Sequence, residues 1–205
     1  TLEIVTKYQN QISKVISEED HGLYDAINKG IELATGDIIA NINSDDFYID
    51  NAVICDVVKK FEEEKTDLLY SDLYYVEQEN TNKITRYWKS GTYKKGLFYK
   101  GWMPPHPTFF VKKEVYNKYG SFNLDLKSAA DYEIMLRFIH KYECTVSYLG
   151  RVTVRMRVGG VSNASLKNRL KANREDKKAW VINGLKPKFY TFFLKPKIGQ
   201  FIKKN

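Results

Sequence analysis

Cysteine is scarce in this sequence. Two occur in 205 residues, Cys55 and Cys144, and they form no Cys-x-x-Cys pair. That excludes a disulfide framework and a thiolate zinc site. It reads as a reduced, cytoplasmic chain with both thiols as small core residues. Histidine is nearly as rare. His21, His106 and His140 are scattered, so a His-based metal centre is not expected. No run of about 18 apolar residues occurs, so no segment suits a transmembrane helix. There is no internal repeat. No Gly-rich, basic phosphate loop stands early in the chain.

What is present is ordinary in amount and uneven in distribution. The hydrophobic fraction of 43% supports one domain with a real core, and 15 tyrosines make it rich in aromatics. The net charge is +8, yet residues 165–205 hold ten lysines and two arginines against Glu175 and Asp176. The body, residues 1–164, is therefore slightly acidic. This argues against a nucleic-acid-binding core and for a basic tail that meets an anionic surface. The tail reads as a helix, then Gly184-Leu185-Lys186-Pro187, then Phe and Tyr interleaved with lysines. That mixture suits a membrane interface better than nucleic acid. Packing of the tail on the domain is the plainer alternative.

Periodicity predicts a helix over 22–34 and a short strand over Ile38–Ile42, buried on both faces. A second helix is expected over about 50–65 with Asp50 as N-cap, and a strand from Leu68. Helix, strand, helix, strand implies parallel pairing in an α/β sheet. Asp72–Val76 and Ile84–Trp88 read as a hairpin, Thr108–Val111 as a strand and Asp131–His140 as a helix. Cys144–Leu149 and Val152–Val158 read as two further strands.

Asn43-Ser44-Asp45-Asp46 ends the apolar strand, where ligands sit in open α/β sheets. Adjacent carboxylates on such a turn suit Mg²⁺ or Mn²⁺ bridging to a diphosphate, although a turn followed by a helix cap explains them equally simply. Asp131 falls where a helix starts. It reads either as an N-cap or as a general base for a hydroxyl nucleophile. Glu133 is expected to orient an acceptor or to hold a basic group. His106, set between prolines in Pro104-Pro105-His106-Pro107, is presented by a stiff loop to acceptor or phosphate, or is simply structural. Gly159-Gly160-Val161-Ser162 is a turn that could bring backbone N–H groups near a phosphate.

Taken in order, these strings resemble the family 2 glycosyltransferases, which have the GT-A fold. The matching segments are Ile16–Gly30, Ala34–Ile39, Asn43–Asp46, Pro105–Phe110, Ala130–Glu133 and Gly159–Ser162. They look like the bacterial subgroup that builds capsule, O-antigen or exopolysaccharide, and they cover about residues 1–165. The resemblance implies a GT-A-like catalytic domain over 1–164, with a mixed sheet flanked by helices, and a basic helical tail over 165–205. It implies an inverting sugar transfer from a nucleotide-diphosphate sugar, UDP-linked by preference, to a saccharide or lipid-linked acceptor. Asp45 would be the chief ligand of a divalent Mn or Mg ion, with Asp46 beside it; Asn43 stands where the family's motif has its first acid. Asp131 would be the base. Asp25, Asn28 and Lys29, with Asp45, would lie near the donor nucleotide. Thr1 matches a position after the family's first two strands, so about 30–45 preceding residues are expected in the full protein. The location implied is cytoplasmic, peripheral at the inner face of the cell membrane, with no nucleic acid bound. The rivals are a nucleotidyltransferase, which would also set acids and metal at a strand end, and a catalytically silent module presenting its basic tail.

Overall fold

The computed structural model describes residues 2–159, 166–192 and 201–202. Helix α1 (Leu2–Lys7) and the stretch to Asp20 lie on the surface and bury no side chain. Helix α2 (Leu23–Leu33) places Ile31 in the core and Ile27 against it. Its C-terminal end is met by cations: Lys14 Nζ donates to Leu33 O at 2.8 Å, and Lys113 Nζ donates to Ala34 O. Positive charge there complements the helix dipole.

Strand β1 (Ile38–Ala40) follows, then β2 (Phe47–Tyr48), α3 (Val53–Glu64), β3 (Leu68–Val76) and β4 (Ile84–Trp88). After a loop come β5 (Phe110–Lys112), α4 (Lys113–Tyr119), α5 (Ala130–Met135) and β6 (Val146–Arg157). Helix α6 (Leu166–Ile182) and β7 (Phe201–Ile202) complete the described chain. β3 is the central strand. β6 runs parallel along one edge, while β5 and β4 pair antiparallel with the beginning and end of the other. β1 pairs antiparallel with β5, β2 with β6 and β7 with β4. The sheet is mixed.

Several expectations change in detail. β1 and β3 do point the same way, as a helical crossover requires, but β5 lies between them, so they are not paired. The two strands expected over 144–158 are one continuous strand, β6. It carries extra residues against β3: Tyr70 pairs with Tyr148, but Asp72 pairs with Val152. The excess is taken up at Gly150, at φ +73°, a conformation L side chains rarely adopt. Asp50 is not the cap of α3. That position is Ala52, and Asp50 Oδ1 instead accepts the Ala52 N–H at 2.9 Å while its other oxygen meets Arg151. The inner side of α3 is Val53, Val57 and Phe61; Ile54, Val58 and Cys55 face solvent. Only Cys144 is a core thiol, and burial pushes it up to about 11. The helix expected over 131–140 is α5 followed by a π-helical turn, Leu136–Lys141.

Side chains alternate across the sheet with period two. Leu69 and Phe110 pack with α3 on one face, whereas Leu68, Tyr70 and Val111 belong to the larger core under α2, α4 and α5. Full burial of each such apolar side chain stabilises by roughly 1.5–3 kcal/mol. Helix α6 packs on that core. Trp180 is fully buried, and its Nε1 donates to Tyr132 Oη at 2.8 Å. The described part of the basic tail is thus joined to the body through an apolar face.

One carboxylate is buried in the sheet itself. Asp72 accepts the Ser90 N–H and the Tyr148 hydroxyl, each at 2.8 Å, and the Tyr87 hydroxyl as well. These donors come from β4, β6 and the segment after β4, so the charge ties three parts of the chain to β3. Removing it leaves buried donors without an acceptor, each costing about 1–3 kcal/mol. Asp72→Ala is expected to lower unfolding free energy by about 3 kcal/mol in urea melts. A change of less than about 0.5 kcal/mol would mean water replaces the carboxylate freely.

Candidate active site

The acidic turn lies just beyond β1. Asn43, Ser44 and Asp45 line a hollow of about 620 Å³, together with Leu23 and Ile27 of α2 and His106. The turn is held by its own side chains. Asn43 Nδ2 donates to Asp46 Oδ2 at 2.9 Å, and the Arg157 N–H donates to Asp46 Oδ1 at 3.3 Å. Burial raises the Asp46 pKa, with the Asp45 charge adding and the Asn43 and Arg157 contacts opposing. Among the described residues the Asp45 carboxylate accepts no hydrogen bond; it stands exposed, while its backbone carbonyl receives Arg157 Nη1 at 2.7 Å.

Among the described residues no three His, Cys, Asp or Glu side chains gather to make a closed metal cage. The donor set here is two adjacent carboxylates, one of them free. That fits a hard divalent cation which shares its sphere with diphosphate oxygens and water, and it does not fit an all-protein site. Asn43 braces Asp46, which gives a physical reason for an amide where an acid was expected.

Asp131 is the second residue of α5, and the cap is Ala129. Its Oδ1 accepts the Tyr132 N–H at 2.8 Å and the Tyr24 hydroxyl at 3.4 Å. Oδ2 accepts nothing among the described residues. His106 begins a tight turn before β5, pinned where Thr108 Oγ1 lies 3.1 Å from Ser71 O and 2.9 Å from Pro105 O. Burial lowers the His106 pKa, and the Asp131 charge opposes that shift. Tyr75, on β3, feels both acidic centres. Burial pushes its phenol up to about 12, with Arg86 opposing and Asp46 and Asp131 adding to the rise. His106 lines the hollow with the acidic turn and shares the Phe122 ring with Tyr24, whose hydroxyl reaches Asp131.

Of the residues expected near the nucleotide, Asp45 lines the hollow, and the three on α2 are bonded within the fold. Asp25 Oδ2 accepts the His21 N–H at 3.0 Å and so closes the N-terminus of α2; that bond is the chief cause of its lowered pKa. Asn28 is bonded within the fold. Its Nδ2 donates to Phe122 O at 2.9 Å and its Oδ1 accepts the Phe122 N–H at 2.8 Å, so both ends of the amide are used. Lys29 sits among Glu18, Asp20 and Asp25 at 2.6, 2.8 and 3.4 Å, pairs that raise its pKa. It lines a second hollow, of about 480 Å³, which meets the first along Ala26, Gly30 and Ala34.

Glu133 is bonded within the fold as well. It is 1% exposed, receives Arg137 Nε at 2.9 Å and Nη2 at 3.1 Å, and accepts Asn183 Nδ2 at 2.8 Å. It holds a basic group, the other reading open to it. Gly160, Val161 and Ser162 of the Gly-rich turn lie outside the described residues.

Sequence reasoning passed over Tyr24, Tyr75 and Arg157. Tyr24 stands inside the Gly22–Gly30 string, one turn before Asn28. Arg157 and Arg155 alternate along β6, but alternation alone does not say which strand end meets the acidic turn.

A family model described as "Glycosyl transferase family 2" matches residues 1–120. Among curated proteins, an uncharacterized glycosyltransferase of Methanocaldococcus jannaschii is 27% identical over 157 residues, which is 72% of this chain and 53% of that protein. A PGL/p-HBAD biosynthesis glycosyltransferase of Mycobacterium bovis is 27% identical over 148 residues, covering 71% and 55%. The chain spans about half the length of the curated relatives it matches. Among solved structures, S. aureus TarS 1–349 in complex with UDP superposes with a TM-score of 0.60 at 17% identity, over 91% of this chain and 54% of that one. That likeness shows the fold: a mixed sheet flanked by helices, of the GT-A type.

Asn28→Ala removes two hydrogen bonds from a partly buried loop, worth about 1–3 kcal/mol together. The expected result is a lower Tm with unchanged nucleotide affinity in calorimetry. A tenfold loss of affinity at unchanged Tm would restore Asn28 as a donor contact.

Proposed function

The chain belongs to glycosyl transferase family 2, and from that premise we propose that its site moves a sugar from a nucleotide-diphosphate donor to an acceptor hydroxyl with inversion. The single observation that carries this reading is that His106 lines the hollow with Asn43, Ser44 and Asp45 and shares the Phe122 ring with Tyr24, whose hydroxyl lies 3.4 Å from Asp131. One acidic centre suits a diphosphate with its cation and the other suits a hydroxyl, and a sugar carbon must lie between them.

In this reading Asp131 Oδ2 takes the acceptor's proton as the hydroxyl oxygen attacks the anomeric carbon. The bond from that carbon to the diphosphate oxygen breaks, and the diphosphate departs with the electron pair. Single displacement inverts the configuration. Asp45 and Asp46 would hold a Mg or Mn ion, which when bound neutralises charge on the leaving diphosphate. Arg157 sets the shape of that turn through Asp45 O and Asp46 Oδ1. His106 closes the hollow beside Asp131 and faces the acceptor side. The UDP bound to S. aureus TarS supports a uridine diphosphate donor. The mycobacterial relative is named for PGL/p-HBAD biosynthesis, which supports a biosynthetic role, read here with a saccharide or lipid-linked acceptor.

Lys188 lies over the Tyr99 and Tyr190 rings, and the neighbouring Phe189 is 87% exposed. An exposed ring among lysines supports an anionic membrane face, where a lipid-linked acceptor would be met. No helix among the described residues is long and apolar enough to cross a membrane.

Thermal-shift measurements on the intact protein with UDP-, GDP- and dTDP-sugars, with and without Mn²⁺, test the reading. One nucleotide together with metal should stabilise it, by about 2.7 kcal/mol at one hundred times Kd. Asp45→Asn should abolish the metal-dependent part. Asp131→Asn should keep the shift and lose about 10²–10⁴-fold in turnover. No response to any nucleotide–metal pair, or full turnover without the Asp131 carboxylate, would overturn it.

A further inference from the structure

The loop joining α4 to α5 is gripped from two sides. From α2, the Asn28 side chain makes both of its hydrogen bonds to the Phe122 backbone. From the α5 side, Arg137 Nη2 donates to Ser121 O at 2.6 Å and Nη1 to Gly120 O at 3.0 Å, with a further bond to Tyr119 O. Arg137 is itself fixed by the buried Glu133. The loop is therefore a rigid seat for the Phe122 ring.

Two side chains rest on that ring. Tyr24 stacks on it with centroids 5.4 Å apart and planes 15° apart, and His106 meets its face edge-on at 5.4 Å. Stacking leaves Tyr24 little freedom except rotation of its hydroxyl hydrogen, and the oxygen lies 3.4 Å from Asp131 Oδ1. We infer that Tyr24 is a positioning residue for Asp131: its phenol, aimed by Phe122, donates to Oδ1 and fixes the carboxylate so that Oδ2 points to the acceptor hydroxyl.

This rests on the reading of Asp131 as base, and it adds a requirement which that reading does not contain. The Tyr132 N–H also reaches Oδ1, but it comes from the next residue, so on its own it constrains the carboxylate only locally. Tyr24 comes from a helix 107 residues earlier and couples the base to α2. Burial and the adjacent Asp131 charge raise the Tyr24 pKa, so the phenol keeps the proton it must donate. The Asp131 charge also acts on His106 and Tyr75, and the Glu175 charge acts on Tyr24.

Tyr24→Phe keeps the ring and its stack and deletes only the hydroxyl. A hydrogen bond to a charged group carries enough energy to lower kcat about tenfold. The expected result in the intact protein is that loss, with the donor KM and Tm unchanged. A double-mutant cycle adds a readout that general destabilisation does not move. In an Asp131→Glu background, where the carboxylate no longer meets the phenol at this distance, Tyr24→Phe should cost less than twofold. Equal losses in both backgrounds, or no loss of kcat in Tyr24→Phe, would overturn the inference. If Asp131→Asn keeps full turnover, the reading of the base falls instead, so the two failures are distinguishable.

Discussion

The ion pair of Glu133 with Arg137 underlies the part of the molecule that carries Phe122, Tyr24 and Asp131. Glu133 is 1% exposed and is held by Arg137 and Asn183. A buried carboxylate is stable only when its partners are complete, and here they come from two helical elements. Arg137, anchored in this way, spends its remaining donors on consecutive carbonyls of the loop before α5. The loop seats Phe122, and Phe122 seats Tyr24 and His106 beside Asp131. The same pair thus joins α6 to the body and fixes the ground beneath Asp131. Breaking one partner would leave a charge uncompensated in the core, which makes this a constraint and not an ornament.

The second support is the sheet. β5 runs antiparallel between β1 and β3, and the turn before it carries His106. The end of β1 delivers the acidic turn to the same side. Arg157, at the far end of β6, reaches that turn because β2 pairs with β6 and brings residues 45–48 alongside. The acidic pair is therefore set by pairing far from it in sequence. Asp72, in the middle of β3, keeps β4, β6 and the following loop in register, and Trp102 Nε1 donates to Ser90 O at 2.9 Å to bring the proline-rich loop into that arrangement.

Three of the residues singled out for chemistry have structural employment, and the reason is the same each time. Asp25, Asn28 and Glu133 are polar groups at helix starts or on inward faces, where backbone N–H groups, carbonyls or a buried cation need partners. A family string marks a position as constrained without saying whether a ligand or the fold constrains it. Asn28 and Glu133 remain close to function, because both brace the loop beneath Tyr24 and Asp131.

By itself the sequence determined the elements whose signal is local. The apolar spacing of α2, the polar turn between β3 and β4 and the stop at Gly184 are all written in neighbouring residues; so is the apolar run of β1, although only Ile39 of that strand is buried and not both faces as expected. So is the presence of an acidic turn after a strand. Only the tertiary structure decided the strand order, with β5 between β1 and β3. Only it decided that two predicted strands are one strand kinked at Gly150, and which carboxylates are free. Those outcomes depend on contacts between residues tens to more than a hundred positions apart: Tyr24 with Asp131, Asn28 with Phe122, Arg157 with Asp46. A hydrogen-bonding group takes whichever partner the folded chain brings within about 3 Å, and no local pattern encodes that choice.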